Sequence, residues 1–313
     1  MHLADINAPA RGAYLELDEL INLRFPAKQL KLGRRKRALS NLAGPNKTNF
    51  RGRGIDFEEV RRYQPGDDIR TIDWRVTART GSAHTKLFRE ERERPVLIVV
   101  DQRSSMFFGS SHCFKSVLAG HLGSLLAWSA LSDGDRVGGL VFNDDGHQEI
   151  RPRRSRKTVL TLLSQITHYN MSLPQYSPNE DDSFARMLSN LRRIARPGSS
   201  LFLISDFRGA SHERAREHLF ELAKHTELTT IACADPLEIE LPRAGNYAVT
   251  NGTDRSELRT DDRRIRLRYH DQLQQQRDIL SADLLGLGVP LLQASTDGAP
   301  FSILQKYYGD IRR

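Results

Sequence analysis

The sequence predicts an α/β protein: a doubly wound, mostly parallel sheet covered by helices on both faces, preceded by a small β-rich segment. Two observations carry this. From residue 95 onward, short continuous apolar runs alternate with longer stretches of helical period, the pattern of strands buried on both faces. Between residues 44 and 93 the text is instead punctuated by Gly and Asp, with a Pro65-Gly66 turn and short alternating segments, which reads as β-rich.

Taken in order, residues 16–39 place Leu17, Leu20, Ile21 and Leu23 at helical spacing before the basic run KLGRRKRALS, so a helix opens the chain. After the β-rich segment come the strands PVLIVVD, RVGGLVF, SLFLISD, LTTIACAD and VPLLQA. Between them lie helical stretches: FKSVLAGHLGSLLAWSAL, RKTVLTLLSQI, DSFARMLSNLRRI, ERAREHLFELAKH and the long, polar segment from Arg263 to Leu285. The division that follows is an N-terminal helical and β-rich region over 1–94 and an α/β domain over 95–313. Asp101, Asp206 and Asp235 end their strands, at the carboxyl edge where open α/β sheets bind ligands.

Composition narrows the function. The chain has 313 residues and a formal charge of +8, with 38% hydrophobic and 27% charged residues, as in a folded globular protein. No apolar run approaches the roughly 18 residues of a membrane span, and the first residues lack the basic start and apolar middle of a secretory signal. The expectation is a cytoplasmic protein. Cys113 and Cys233, far apart and outside any CxxC, rule out a disulfide framework and a cysteine-rich zinc site, and are expected to be buried apolar residues.

Several enzyme signatures fail on inspection. GSSHCFKS (109–116) has the order of a phosphate-binding loop, but Phe114 stands where the second glycine must be for the backbone to wrap phosphates. Gly52 and Gly54 open a GxGxx pattern whose third glycine position is Phe57. No GxSxG elbow or HExxH pair is present, and His212 and His218 are spaced wrongly to share a metal from one helix face.

One constellation survives. DQRSSM places Asp101, Arg103 and Ser105 at alternating positions just past a strand end. With a hydroxyl from a neighbouring loop and an Asp ending a later strand, such residues make an oxygen-only site for Mg²⁺. The stretch resembles the DxSxS pattern of the metal-ion-dependent adhesion site of von Willebrand factor A domains, whose fold is Rossmann-like. By that resemblance Asp101, Ser105, Ser183 and Asp206 are the candidate ligands. The middle serine is replaced by Arg103, whose guanidinium between Asp101 and Asp206 would do electrostatically what the cation otherwise does. The sequence leaves two states open, a bound Mg²⁺ or an internal ion-pair cluster.

Upstream, RRYQPGDDIRTIDWRVTART (61–80), followed by Glu90, Glu91-Arg92, the strand and its DxxSSM end, resembles the signature of the bacterial family called domain of unknown function 58. The signature positions are Tyr63, Asp67, Asp68, Asp73 and Trp74. Members of that family look like von Willebrand factor A domains with a small β-rich insertion before the first strand, and are commonly encoded beside a MoxR-type AAA+ ATPase and other von Willebrand factor A proteins. The resemblance implies a partner of a chaperone-like ATPase and not an enzyme. Read without the family, the signature is either a staple of arginines and carboxylates pinning the β-rich region or a contact surface, with Ile72 and Trp74 offering one apolar face.

Three basic clusters, 28–37, 151–157 and 259–268, raise the alternative of a nucleic-acid or anionic-membrane binder. The first two lack interleaved aromatics and no reading motif surrounds any of them, so sequence-specific recognition of nucleic acid is not expected. The sequence therefore points to a non-enzymatic interaction adaptor that presents the edge around Asp101, Ser105 and Asp206, working with a MoxR-type ATPase in assembly or maturation of a client complex.

Overall fold

The computed structural model of the chain describes residues 6–32, 56–64, 67, 72–89, 95–172, 183–242, 244–250 and 255–309. It divides into two compact units: residues 1–48 with 95–313, and residues 49–94.

The larger unit is mixed α/β. Its sheet has six strands: β3 (Pro95–Asp101), β4 (Arg136–Phe142), β5 (His147–Arg153), β6 (Ser200–Ser205), β7 (Glu227–Ala234) and β10 (Leu291–Ser295). They lie in the order β10-β7-β6-β3-β4-β5. All neighbours pair in parallel except the edge strand β5, which runs antiparallel to β4. The chain starts in the middle, winds outward through β4 and β5, then returns to β6 on the other side of β3. The point between β3 and β6, where the winding reverses, is where such sheets open a crevice at their carboxyl ends.

Strand β3 shows why helices cover both faces. Side chains alternate across a strand, and here both sets are apolar. Val96, Ile98 and Val100 join a core with helices α4 (Lys115–Ser132), α5 (Arg156–Met171) and α9 (Pro300–Tyr308). Leu97 and Val99 join a second core with α6 (Ser183–Ile194), α7 (Glu213–His225) and the end of α8 (Arg263–Gly286). Helix α4 is buried from Lys115 to Ala130, as a helix without a polar face must be. Gly123 lets it approach the sheet, since a Cβ there would meet Val100 at 2.9 Å.

The N-terminal segment supplies the other wall of α4. Helices α1 (Leu17–Asn22) and α2 (Arg24–Ala27) bury Leu20 and Ala27, and Leu15 and Leu30 beside them are buried too. Trp128 Nε1 donates to the Leu20 carbonyl at 3.0 Å and Ser129 Oγ to that of Leu30 at 3.0 Å. This segment thus groups with residues 95–313 and not, as the 1–94 boundary has it, with the β-rich region. The physical reason is that α4 needs apolar cover on the face turned away from the sheet. The opening helix is α1, and a short second helix, α2, follows it; the basic run beyond residue 32 lies outside the described residues.

Strand β5 and one separate strand pair have no apolar run to announce them. Only Ile150 of β5 is buried, and Pro152 together with an irregularity in its pairing marks it as a protected edge. β8 (Asn246–Thr250) and β9 (Arg255–Arg259) form a separate antiparallel pair.

The smaller unit is an antiparallel pair, β1 (Asp56–Arg62) and β2 (His84–Arg89), with a helix, α3 (Trp74–Thr80), between them in sequence. Asp73 caps that helix by accepting from the Arg75 and Val76 amides at 3.0 and 3.1 Å, and Gly81 ends it in the left-handed conformation. These two residues make WRVTART a helix inside the region that otherwise reads as β-rich.

Candidate functional site

Strand β3 delivers Asp101, fully buried, to the carboxyl edge of the sheet. Two residues on, the chain folds Arg103 back onto it. The Arg103 amide donates to Asp101 Oδ1 at 2.9 Å, Nε to both carboxylate oxygens at 3.1 and 3.0 Å, and Nη2 to Oδ2 at 2.8 Å. Ser205 Oγ completes the shell of Oδ2 at 2.6 Å. The guanidinium continues across the switch point: Nη2 reaches Asp206 Oδ1 at 3.4 Å and Nη1 the Arg208 carbonyl at 3.1 Å. Its central carbon lies over the Phe184 ring, 4.9 Å from the centroid, a cation–π contact in a dry setting.

A second cation enters from the first residue of α4. Lys115 is fully buried, and its Nζ donates to Asp206 Oδ2 at 3.1 Å and to Glu238 Oε1 at 2.7 Å. Arg208 closes the cluster from outside, its amide on Asp206 Oδ1 at 3.1 Å and Nη2 on Glu238 Oε1 at 3.2 Å. Glu238 is held because it belongs to a capping box with Asp235 at the start of a short 3-10 turn; Asp235 in turn accepts from the Ser110 amide at 2.9 Å and Thr296 Oγ1 at 2.6 Å. Phe207, between Asp206 and Arg208 just past the end of β6, adopts φ 59°, an uncommon backbone for a bulky residue of the kind found at functional edges.

Burial pushes Asp101 up from the ordinary carboxylate value, against the pull of Arg103. For Asp206 burial is outweighed: Lys115, Arg103 and Arg208 together hold its carboxyl well below the usual range. Arg103 is desolvated, yet Asp101 and Asp206 keep it protonated beyond its ordinary value. The depressed Asp206 contributes its full stability above the unfolded carboxylate value near pH 3.9, and that contribution is lost as the pH falls below it. The melting temperature of the native chain should therefore drop more steeply from about pH 4 to about pH 2 than that of Asp206→Asn. Parallel curves would remove Asp206 from this account.

Of the predicted residues, Asp101, Arg103 and Asp206 come together. Ser105 lies in the 3-10 turn Ser104–Met106, its hydroxyl buried without a hydrogen-bond partner and outside the ion-pair network. Ser183 heads α6 and is buried, and the ring of the next residue, Phe184, lies under Arg103. The four oxygens of Asp101 and Asp206 are each engaged by a guanidinium, ammonium, hydroxyl or amide donor. Mg²⁺ demands about six oxygen ligands at close to octahedral geometry, and this set does not fit it. Among the described residues no group of three or more His, Cys, Asp or Glu side chains is placed to hold a metal.

Lys115 and Glu238 were missed from the sequence. Lys115 stood inside the failed phosphate-loop match; its signal was a lone lysine heading an otherwise uncharged helix, which in a buried setting demands acids. Glu238 was legible as the last residue of Asp-Pro-Leu-Glu, a capping-box text.

The signature residues lie in the smaller unit. Asp67 accepts from the Gln64 amide at 2.9 Å and from Arg61 Nη2 at 2.7 Å, and Tyr63 donates to the Asp67 carbonyl at 3.3 Å. That is a local turn staple. Asp73 is the helix cap. Trp74 is 68% exposed, and the backbone of Ile72 bridges to Thr85. Asp68 lies outside the described residues. Both cysteines are buried, and burial, with Asp235 adding to it, pushes the Cys113 thiol up to about 12; a thiol so held is no nucleophile.

The family model described as "Protein of unknown function DUF58" matches residues 59–279. Uncharacterised proteins of Mycobacterium bovis and Mycobacterium tuberculosis are 29% identical over 264 residues, covering 84% of this chain and 81% of theirs. Among solved structures, the conserved hypothetical protein BatB of Bacteroides thetaiotaomicron aligns with TM-score 0.35 and 16% identity, covering 62% of this chain and 98% of its own. An aerotolerance-related membrane protein of Bacteroides fragilis aligns with TM-score 0.41 and 12% identity, covering 68% and 98%.

Proposed function

This chain belongs to the DUF58 family, and from that premise we propose that it is a non-enzymatic, cytoplasmic interaction adaptor of von Willebrand factor A type. It works with a MoxR-type AAA+ ATPase in the assembly or maturation of a client complex. The observation that carries the reading is the saturated charge cluster at the switch point. A hydrolytic or transfer site needs a base or nucleophile with an unused valence, whereas here Asp101, Asp206 and Glu238 are each held by a guanidinium or ammonium. What such an edge offers is a preorganised surface. The strand order, with one antiparallel edge strand on an otherwise parallel sheet, supports the von Willebrand factor A assignment, and on that assignment Arg103 takes the part that the cation otherwise has. Among the described residues no helix is long and apolar enough to cross a membrane.

The test is a tagged pull-down from native cells, with and without ATP and with and without a chelator, read by mass spectrometry. The expected result is nucleotide-dependent co-purification of a MoxR-type ATPase, with chelation acting only through the Mg²⁺ that the nucleotide needs. Its absence under every condition sinks the reading. A second reading rests on the edge formed by β5 and the start of α5. There Arg151, Arg153, Arg156 and Lys157 are exposed and none has an ion-pair partner among the described residues. Recovery of nucleic acid or anionic lipid that is released by moderate salt would favour it.

A further inference from the structure

A cavity of about 500 Å³ opens beside the charge cluster, between the carboxyl ends of β6 and β7, the end strand β10 and one face of α8. Its apolar wall is made by Phe207, Ala232, Leu273, Leu280 and Leu291. Tyr269, Leu273, Gln276 and Leu280 line it from positions three and four apart on α8, so a single stripe of that helix faces the space. The helix is otherwise thinly anchored: among its described side chains from Arg263 to Gly286, Leu284 is the one in the buried core.

The charges on the lining are not balanced in their bonding. Three carboxylates face the cavity, and each is already taken: Asp206 and Glu238 by Lys115, and Asp283 by Arg216 at 2.6 Å. The cations are not all taken. Arg208, 64% exposed at its side chain, spends Nε and Nη2 on Asp206 and Glu238 and leaves Nη1 over. Arg277 has no hydrogen-bond or ion-pair partner among the described residues. An apolar chamber with spare guanidinium donors at its polar end selects a ligand with an apolar body and a carboxylate head.

We infer that this cavity binds a peptide segment that presents apolar side chains next to a carboxylate. The carboxylate pairs with Arg208 and Arg277, and the apolar side chains pack on Leu273, Leu280 and Leu291. The inference deepens the adaptor reading, on which it rests only for taking the ligand to be part of a partner protein.

The probe is a library of tetrapeptides with two apolar residues, labelled at the N-terminus with an uncharged BODIPY dye, in three forms: free C-terminal carboxylate, C-terminal amide, and amide with an internal Asp. Fluorescence polarisation on the full chain should show binding of one or both carboxylate forms and not of the neutral amide. Which form binds tells a chain terminus from an acidic side chain. Arg277→Gln, which removes no hydrogen bond or ion pair made among the described residues, should weaken binding about ten- to a hundredfold, and Leu273→Arg, which fills the chamber, should abolish it with the melting temperature retained. Equal binding of the neutral amide, no effect of Arg277→Gln, tighter binding of free octanoate than of any peptide, or no binding by any library member would each overturn the inference. Peptide binding without recovery of an ATPase would leave the cavity standing and remove its assigned partner. Undiminished ATPase recovery by both variants would do the reverse.

Discussion

Arg103→Ala should destabilise the fold by about 3–5 kcal/mol and lower the melting temperature by roughly 10 °C. The substitution strips the fully buried Asp101 of the cation that meets both its oxygens, weakens the shell of Asp206 and leaves the Arg208 carbonyl without its donor. What costs so much is the charge left behind, more than the bond removed. The paired change Asp101→Leu with Arg103→Met should accordingly recover most of the loss, because an apolar pair leaves no orphaned charge. Scanning calorimetry on the three variants decides it: a single variant that melts within about 1 °C of the native chain would mean that the cluster does not hold the switch point together. Arg103→Ser writes DxSxS into the chain, yet it should gain no Mg²⁺ affinity, since Lys115 still sits 3.1 Å from Asp206.

Gly139→Ala should cost about 3 kcal/mol or more and leave much of the protein insoluble. Gly139 pairs with Ile98 across the β3–β4 ladder, and a Cβ there runs into the Ile98 carbonyl, with a Leu162 methyl 3.0 Å away. A side chain could step aside, but a backbone carbonyl in the central strand cannot move without breaking the ladder that carries Asp101. Gly146 is the control. A Cβ there meets nothing within 4 Å, and Gly146→Ala should leave the denaturation midpoint in urea unchanged. Equal midpoints for both variants would show that the close approach of β3 and β4 relaxes freely.

Much of this architecture is written locally. The strands that are buried on both faces announce themselves as apolar runs, and the helices between them by their period. β5 does not, because an edge strand with only Ile150 inside needs no apolar text and is safer with charges and a proline. The placement of residues 10–30 is not local either: the spacing of Leu17, Leu20 and Ile21 predicts a helix, but nothing in it says that Leu20 will meet Trp128. The site divides the same way. Asp101, Arg103 and Asp206 could be read from strand ends. Lys115 and Glu238 could not be joined to them, since what unites the five is the sheet order and no motif spans it.

That order also sets when the cluster can form. Asp101 and Arg103 meet within one turn of chain, and β4 reaches β3 after a single helix. Asp206 arrives from 103 residues beyond Arg103, and Glu238 lies 123 residues from Lys115. A chain emerging from its N-terminus lays down β3, α4 and β4 with the lysine of α4 still lacking both of its acids, and a buried ammonium without acids is strongly disfavoured. The head of α4 therefore stays open to water until β6 docks, and the switch point closes only after the half of the sheet formed by β3, β4 and β5 is in place. Contacts made so late are largely absent from the transition state, so they govern how fast the native protein opens more than how fast it forms. The cluster is then a latch whose worth is measured in the lifetime of the folded state.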